Sequence, residues 1–138
     1  MIHKSKLEVL EILSQIDDVV FVGGTSQYLQ GYEIELRDID ISISHKDFLS
    51  SLGYVHTAFD DSFYGLSGQR GFIPFKSVLV DIFIDTKRPD FIIIDGYKCE
   101  TIQSIINLDE NTLAFNRERL SAFTINKIEA NVNKLKQI

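Results

Sequence analysis

Asp38 and Asp40 stand two residues apart in Arg37-Asp38-Ile39-Asp40-Ile41, and thirteen residues before Arg37 lies Gly24 of a glycine pair, Gly23-Gly24, that follows apolar Val19-Val20-Phe21-Val22. Aspartates at alternate positions of a strand project to one face, about 6.6 Å apart by the ordinary rise, so both carboxylates can meet one hard cation. Adjacent glycines, having no side chains, let backbone N–H groups come close to a phosphate. The pattern reads as a metal-and-phosphate constellation, with glycines for a nucleotide and aspartates for Mg²⁺. A third carboxylate, Asp81, sits inside Val78-Leu79-Val80-Asp81-Ile82-Phe83-Ile84. Burying an unpaired charge in such a run is costly, and a metal would supply its partner. Asp85 shares the Asp81 face and is the alternative third ligand.

The elements that must position these residues can be read from periodicity. Val9, Leu10, Leu13 and Ile16 share a helical face and predict a first helix over 3–15. A short buried strand is expected over 19–22. A brief helix capped by Thr25 should then run to Leu29 and end at Gly31, with a polar connection over 32–36. From 38 to 44 the alternation is strict, with Asp38, Asp40, Ser42 and Ser44 on a wet face and Ile39, Ile41 and Ile43 on the other. Further expectations are a helix over 46–52, strand-like segments over 54–59 and 62–66, and a turn over 67–71. Strands should follow over 72–75 and 76–85, bent at Pro74, and a hairpin over 91–99 turning at Asp95-Gly96. The rest should be helical, 101–107 and then a long C-terminal helix striped by Ile125, Ile128, Val132 and Leu135. This is an α+β (α/β-like) chain with a central mixed sheet flanked by helices.

Composition bounds the reading. The 138 residues, 44% hydrophobic and 25% charged, suit a single domain over 1–138 able to bury a core. The net charge of −6 argues against a broad grip on nucleic-acid phosphates, though a local basic patch can receive one end. The lone Cys99 forms no internal disulfide and reads as a small core residue. His3, His45 and His56 lack metal-ligand spacing. No apolar stretch approaches bilayer length, so a cytoplasmic protein without a membrane partner is expected.

Placed on these elements, the constellation resembles the nucleotidyltransferase superfamily typified by DNA polymerase β. Its signature is an apolar residue followed by Gly-Gly or Gly-Ser, a gap, then Asp-apolar-Asp-apolar. Val22-Gly23-Gly24 and Asp38-Ile39-Asp40-Ile41 match it, and Asp81 matches the third carboxylate on a later central strand. Gly23-Gly24-Thr25 and Leu36-Arg37-Asp38-Ile39-Asp40 look most like abortive-infection type IV toxins and small aminoglycoside nucleotidyltransferases. Ile94-Asp95-Gly96-Tyr97-Lys98 and Asn116-Arg117-Glu118-Arg119 are similar to their downstream pattern. The lysine those relatives usually carry ahead of the arginine is replaced here by Leu108-Asp109-Glu110.

The resemblance implies transfer of a nucleoside monophosphate from a nucleoside triphosphate to a hydroxyl of RNA, protein or a small molecule. Two Mg²⁺ ions, with Mn²⁺ as an alternative, would sit on Asp38, Asp40 and Asp81. Gly23 and Gly24 would offer N–H groups to the phosphates, with Thr25 or Ser26 adding a hydroxyl. Arg37 and Arg117 are candidate phosphate contacts, while Arg70, Lys76 and Arg119 are further basic candidates. Tyr28, Tyr32 and Tyr64 read as packing residues rather than base-stacking platforms. The rival reading is a noncatalytic partner or nucleotide sensor on the same fold, antitoxin-like, which the missing lysine favours and the three carboxylates oppose.

Overall fold

The computed structural model describes residues 4–44, 59–61, 68–85 and 87–137. The helix expected over 46–52 and most of the segments expected over 54–59 and 62–66 lie outside these residues, as do His3, His45, His56 and Tyr64.

Helix α1 (Lys4–Ser14) forms on the expected apolar spacing and buries Val9, Leu10 and Leu13. These side chains pack on Ile39, Ile41, Ile43, Ile73, Val78, Val80 and Ile82 of the sheet to make the main core. Each such buried aliphatic contributes about 1.5–3 kcal/mol over an exposed one. The strands are β1 (Val20–Phe21), β2 (Ile39–Ile43), β3 (Asp60–Asp61), β4 (Gly68–Phe75), β5 (Val78–Asp85), β6 (Phe91–Ile94) and β7 (Tyr97–Glu100). They form one seven-stranded mixed sheet in the order β3-β4-β5-β2-β1-β7-β6. The β2–β5 and β1–β7 pairs are parallel and the remaining pairs antiparallel.

Among the described residues three more α-helices flank the sheet: α2 (Gly23–Leu29), α3 (Ile102–Asn116) and α4 (Ala122–Lys136), the last two joined through a 3₁₀ turn at Arg117–Arg119. A second core between α3 and α4 gathers Ile105, Ile106, Ile128, Val132 and Leu135, with Tyr32 packed against it. Tyr28 packs on the main core, so Tyr28 and Tyr32 both serve packing. Thr101 and Ser121 cap these helices, each side chain accepting from the backbone N–H three residues on. Cys99 is fully buried opposite Phe21, and burial pushes its thiol up to about 11.

Several sequence expectations are corrected. Residues 68–71 are strand, not turn: antiparallel pairing with β5, and with β3 at Gln69 and Arg70, holds them extended. Gly68 has φ +139, and a Cβ there would come within 2.8 Å of the Ile84 carbonyl oxygen, so the close approach of backbones requires glycine. The chain instead reverses at Lys76 and Ser77, with φ 49 and 67, the two-residue hairpin geometry that twists with the strands. Thr25 is not a helix cap. Helix α2 starts at Gly23, and Thr25 turns its hydroxyl toward β2. The helix expected over 101–107 continues to Asn116 because Ile105 and Ile106 are followed by further packing at Asp109 and Thr112. The polar face of β2 is not uniformly wet either, since Ser42 is fully buried beneath side chains of Asp85 and Arg88.

Candidate functional site

The parallel register of β2 and β5 sets Asp40 directly beside Asp81. Alternation places Asp40, Ser42, Asp81, Phe83 and Asp85 on one face, while the isoleucines of β2 enter the core from the other. Asp38, just ahead of β2, continues the polar side and lies close enough for its charge to raise both other aspartates.

The glycine turn closes over Asp40. Gly23 has φ +51, a conformation in which glycine is unstrained, and a Cβ there would stand 3.6 Å from Asp40 Oδ2. At Gly24 the corresponding distance is 3.8 Å, with Ile34 Cδ1 at 3.4 Å. Thr25 ties the turn to β2: the Asp40 N–H donates to Thr25 Oγ1 at 2.8 Å, and the hydroxyl has the Asp38 carbonyl and Asp40 Oδ2 as alternative acceptors, both at 3.3 Å. The Val22 N–H donates to the Asp40 carbonyl at 3.0 Å. Burial, above all, pushes the Asp40 carboxyl up to about 7; the charges of Asp81 and Asp38 add to the rise, and the Thr25 hydrogen bonds oppose it. Such a carboxyl lacks a compensating cation among the described side chains.

Asp81, by contrast, has one. Arg70 of β4 grips it with both ends of the fork, Nε to Oδ1 at 3.0 Å and Nη2 to Oδ2 at 2.7 Å. The guanidinium also lies over Phe72 and Phe83, 4.9 and 5.1 Å from the ring centroids. Burial still raises the Asp81 carboxyl above the usual carboxylate range, with Arg70 opposing. Asp85 belongs to a separate network: Ser42 Oγ donates to it at 2.6 Å and itself accepts from Arg88 Nη1 at 2.9 Å. Among the described residues no three His, Cys, Asp or Glu side chains converge as a ready metal cage. The register brings Asp40 and Asp81 together, and Arg70 draws the Asp81 oxygens to itself.

Among the basic candidates only Arg70 is bonded to one of the three aspartates in the described contacts. Arg37 pairs with Glu35 at 3.3 Å, and both side chains are largely exposed. Arg117 approaches Glu129 of α4 at 3.7 Å. It also lines a cleft of ≈ 540 Å³ with Leu113, Ala114, Phe115 and Glu118, a lining that includes none of the three aspartates. Lys76, at the β4–β5 turn, pairs with Glu8 of α1.

One residue that the sequence did not single out organises the turn. Glu100, at the end of β7 and only 2% exposed, accepts from the Gly23 N–H at 3.2 Å through Oε1 and from Ser104 Oγ at 2.7 Å through Oε2. Its carbonyl accepts from Ser26 Oγ at 2.6 Å and Gln30 Nε2 at 2.9 Å. Ser26, expected as a phosphate contact, is thus fully buried and committed to β7. The first N–H of the glycine pair is likewise taken by a carboxylate of the chain itself. The available signal was an acidic residue between a strand and the helix cap Thr101, a placement that needs an internal partner if it is buried.

Comparison of the chain with family models, curated proteins and solved structures gave no significant match. Among the described residues no helix is long and apolar enough to cross a membrane.

Proposed function

We propose that the protein binds a nucleoside triphosphate beside Asp40 and transfers its nucleoside monophosphate to a hydroxyl acceptor. The observation that supports this most is the apposition of the Gly23-Gly24 turn to Asp40 Oδ2, with Asp81 in register on the adjacent strand. Side-chain-free backbone and clustered carboxylates meet at one point of the sheet. Asp38 and Asp40 suit a hard divalent cation, Mg²⁺ or Mn²⁺, by their oxygen donors and by the uncompensated burial of Asp40. Asp81, held through both oxygens by Arg70, does not fit as a second-cation ligand in this arrangement.

In the reaction an acceptor hydroxyl oxygen bonds to the α-phosphorus and gives up its proton to solvent, the bond to the bridging oxygen of the β-phosphate breaks, and pyrophosphate leaves with that oxygen. A bound cation would neutralise charge on the phosphates. The chain's own contribution is positioning. Gly24 leaves room for the nucleotide, Thr25 fixes the turn to Asp40, and Glu100 holds the turn from behind through the Gly23 N–H. The acceptor can be an RNA 3′ end, a protein hydroxyl or a small molecule.

The second reading, a noncatalytic nucleotide sensor or antitoxin-like partner, is favoured by the Arg70–Asp81 pair, which neutralises one of the three carboxylates. Incubation with each α-labelled nucleoside triphosphate and cellular RNA or protein separates the two. Labelled acceptor that disappears in Asp40→Asn supports transfer. Nucleotide binding without labelled product supports the sensor, and absence of both binding and product removes both readings.

A further inference from the structure

We infer that Arg70 takes the role of a second cation at Asp81, so that the site holds one divalent cation, on Asp38 and Asp40, where a two-cation centre would otherwise be expected. This rests on the proposed nucleotide site and deepens it. The arginine is built into the sheet. Arg70 faces Phe83 across the β4–β5 register, and Phe72 and Asp81 are the next registered pair on the same face. The strand pairing that aligns β4 with β5 therefore also places the guanidinium beside two rings and against the carboxylate.

The geometry suits a permanent cation. A forked, two-bond contact of 3.0 and 2.7 Å matches the planar guanidinium to both carboxylate oxygens, and the ring contacts at 4.9 and 5.1 Å restrain it further. The Asp81 side chain is only 5% exposed and that of Arg70 32%, so a metal competing for the buried carboxylate must displace a bidentate partner. Removing one partner of such a pair strands the other charge. Charge balance points the same way. Asp38, Asp40 and Asp81 with one guanidinium leave two negative charges, which one divalent cation balances. Asp40 differs in its partner: its Oδ2 accepts from the neutral Thr25 hydroxyl at 3.3 Å, where Asp81 has the guanidinium.

The test counts the Mn²⁺ and nucleotide that co-elute with the chain on gel filtration in buffer containing Mn²⁺ and a nonhydrolysable nucleoside triphosphate. The wild type should bind one Mn²⁺. Asp81→Asn should keep that count at one, because Asp81 is not a ligand, and Arg70→Ala should raise it to two by freeing the carboxylate. Two Mn²⁺ in the wild type, falling to one in Asp81→Asn, overturns the inference while leaving the nucleotide site standing. A folded Arg70→Ala protein that still binds one also overturns it. If Arg70→Ala does not fold, the wild-type and Asp81→Asn counts decide alone. A wild type that binds neither Mn²⁺ nor nucleotide defeats the proposed function itself, and this inference with it. Nucleotide binding without Mn²⁺ defeats the single-cation assignment only.

Discussion

At the scale of single residues, Asp40 sets stability against binding. Its carboxyl, raised to about 7 chiefly by burial, is ionised at pH 8 at a cost the folded state bears. Asp40→Asn removes that charge and retains a side-chain oxygen toward Thr25. In cation-free buffer at pH 8 it should stabilise the protein by on the order of 2 kcal/mol in urea titration, while in buffer with Mg²⁺ labelled nucleotide transfer falls to background. A variant that is less stable than the wild type would show that Asp40 is not an uncompensated charge. Gly23→Ala should act oppositely. At φ +51 an alanine is strained by about 1 kcal/mol, and its methyl would sit 3.6 Å from Asp40 Oδ2, so both the melting temperature and nucleotide affinity should fall. These two residues were legible because alternation and paired glycines are local signals. The Arg70–Asp81 grip and the Glu100–Gly23 bond were not, for they join positions brought together only by strand order, 11 and 77 residues apart in the chain.

At the scale of elements, α1, the α2 span, β2, the β6–β7 hairpin and the stripe of α4 followed from periodicity and from Gly31 and Asp95-Gly96. The β4–β5 hairpin did not. Its turn is Lys76-Ser77, two residues that carry no glycine or asparagine signal, whereas the glycine-bearing stretch before it is held as strand by neighbours on both sides. Sequence chemistry and tertiary pairing disagree there, and pairing prevails. The turn therefore stores strain that better residues can relieve. Lys76→Asn with Ser77→Gly should raise stability by about 1 kcal/mol, because both positions need positive φ. The exposed Lys76–Glu8 pair that is lost is worth little in return. Since this hairpin aligns Arg70 with Asp81, the variant should leave the Mn²⁺ count unchanged. An unchanged or lower melting temperature would show that the turn residues are already at ease.

At the scale of the whole molecule, an acidic chain of net charge −6 has placed several carboxyls inside, and their shifts make its stability depend on pH in an unusual direction. Burial raises Glu100 to about 7, with hydrogen bonds from Ser104 and Gly23 opposing and the charges of Asp109 and Asp85 adding. Burial likewise raises Asp109, on α3, to about 6, with Asn131 of α4 opposing through a 3.3 Å hydrogen bond. Both folded values lie above the ordinary ones of 4.5 and 3.8, so the folded state holds these protons more tightly than the unfolded chain. The resulting stabilisation is complete below about pH 4 and is lost as pH rises through 6 and then 7. Urea unfolding in cation-free buffer should accordingly give greater stability at pH 5 than at pH 8. Asp109→Asn should separate the contributions: it keeps an acceptor for Asn131 and takes a charge away from Glu100. Its gain over the wild type should be about 1–3 kcal/mol at pH 8 and should shrink toward pH 5, where the wild-type carboxyl is already largely protonated. A gain independent of pH would place the effect in packing between α3 and α4. A loss at every pH would show that the ionised carboxylate, rather than its proton, holds the two helices together.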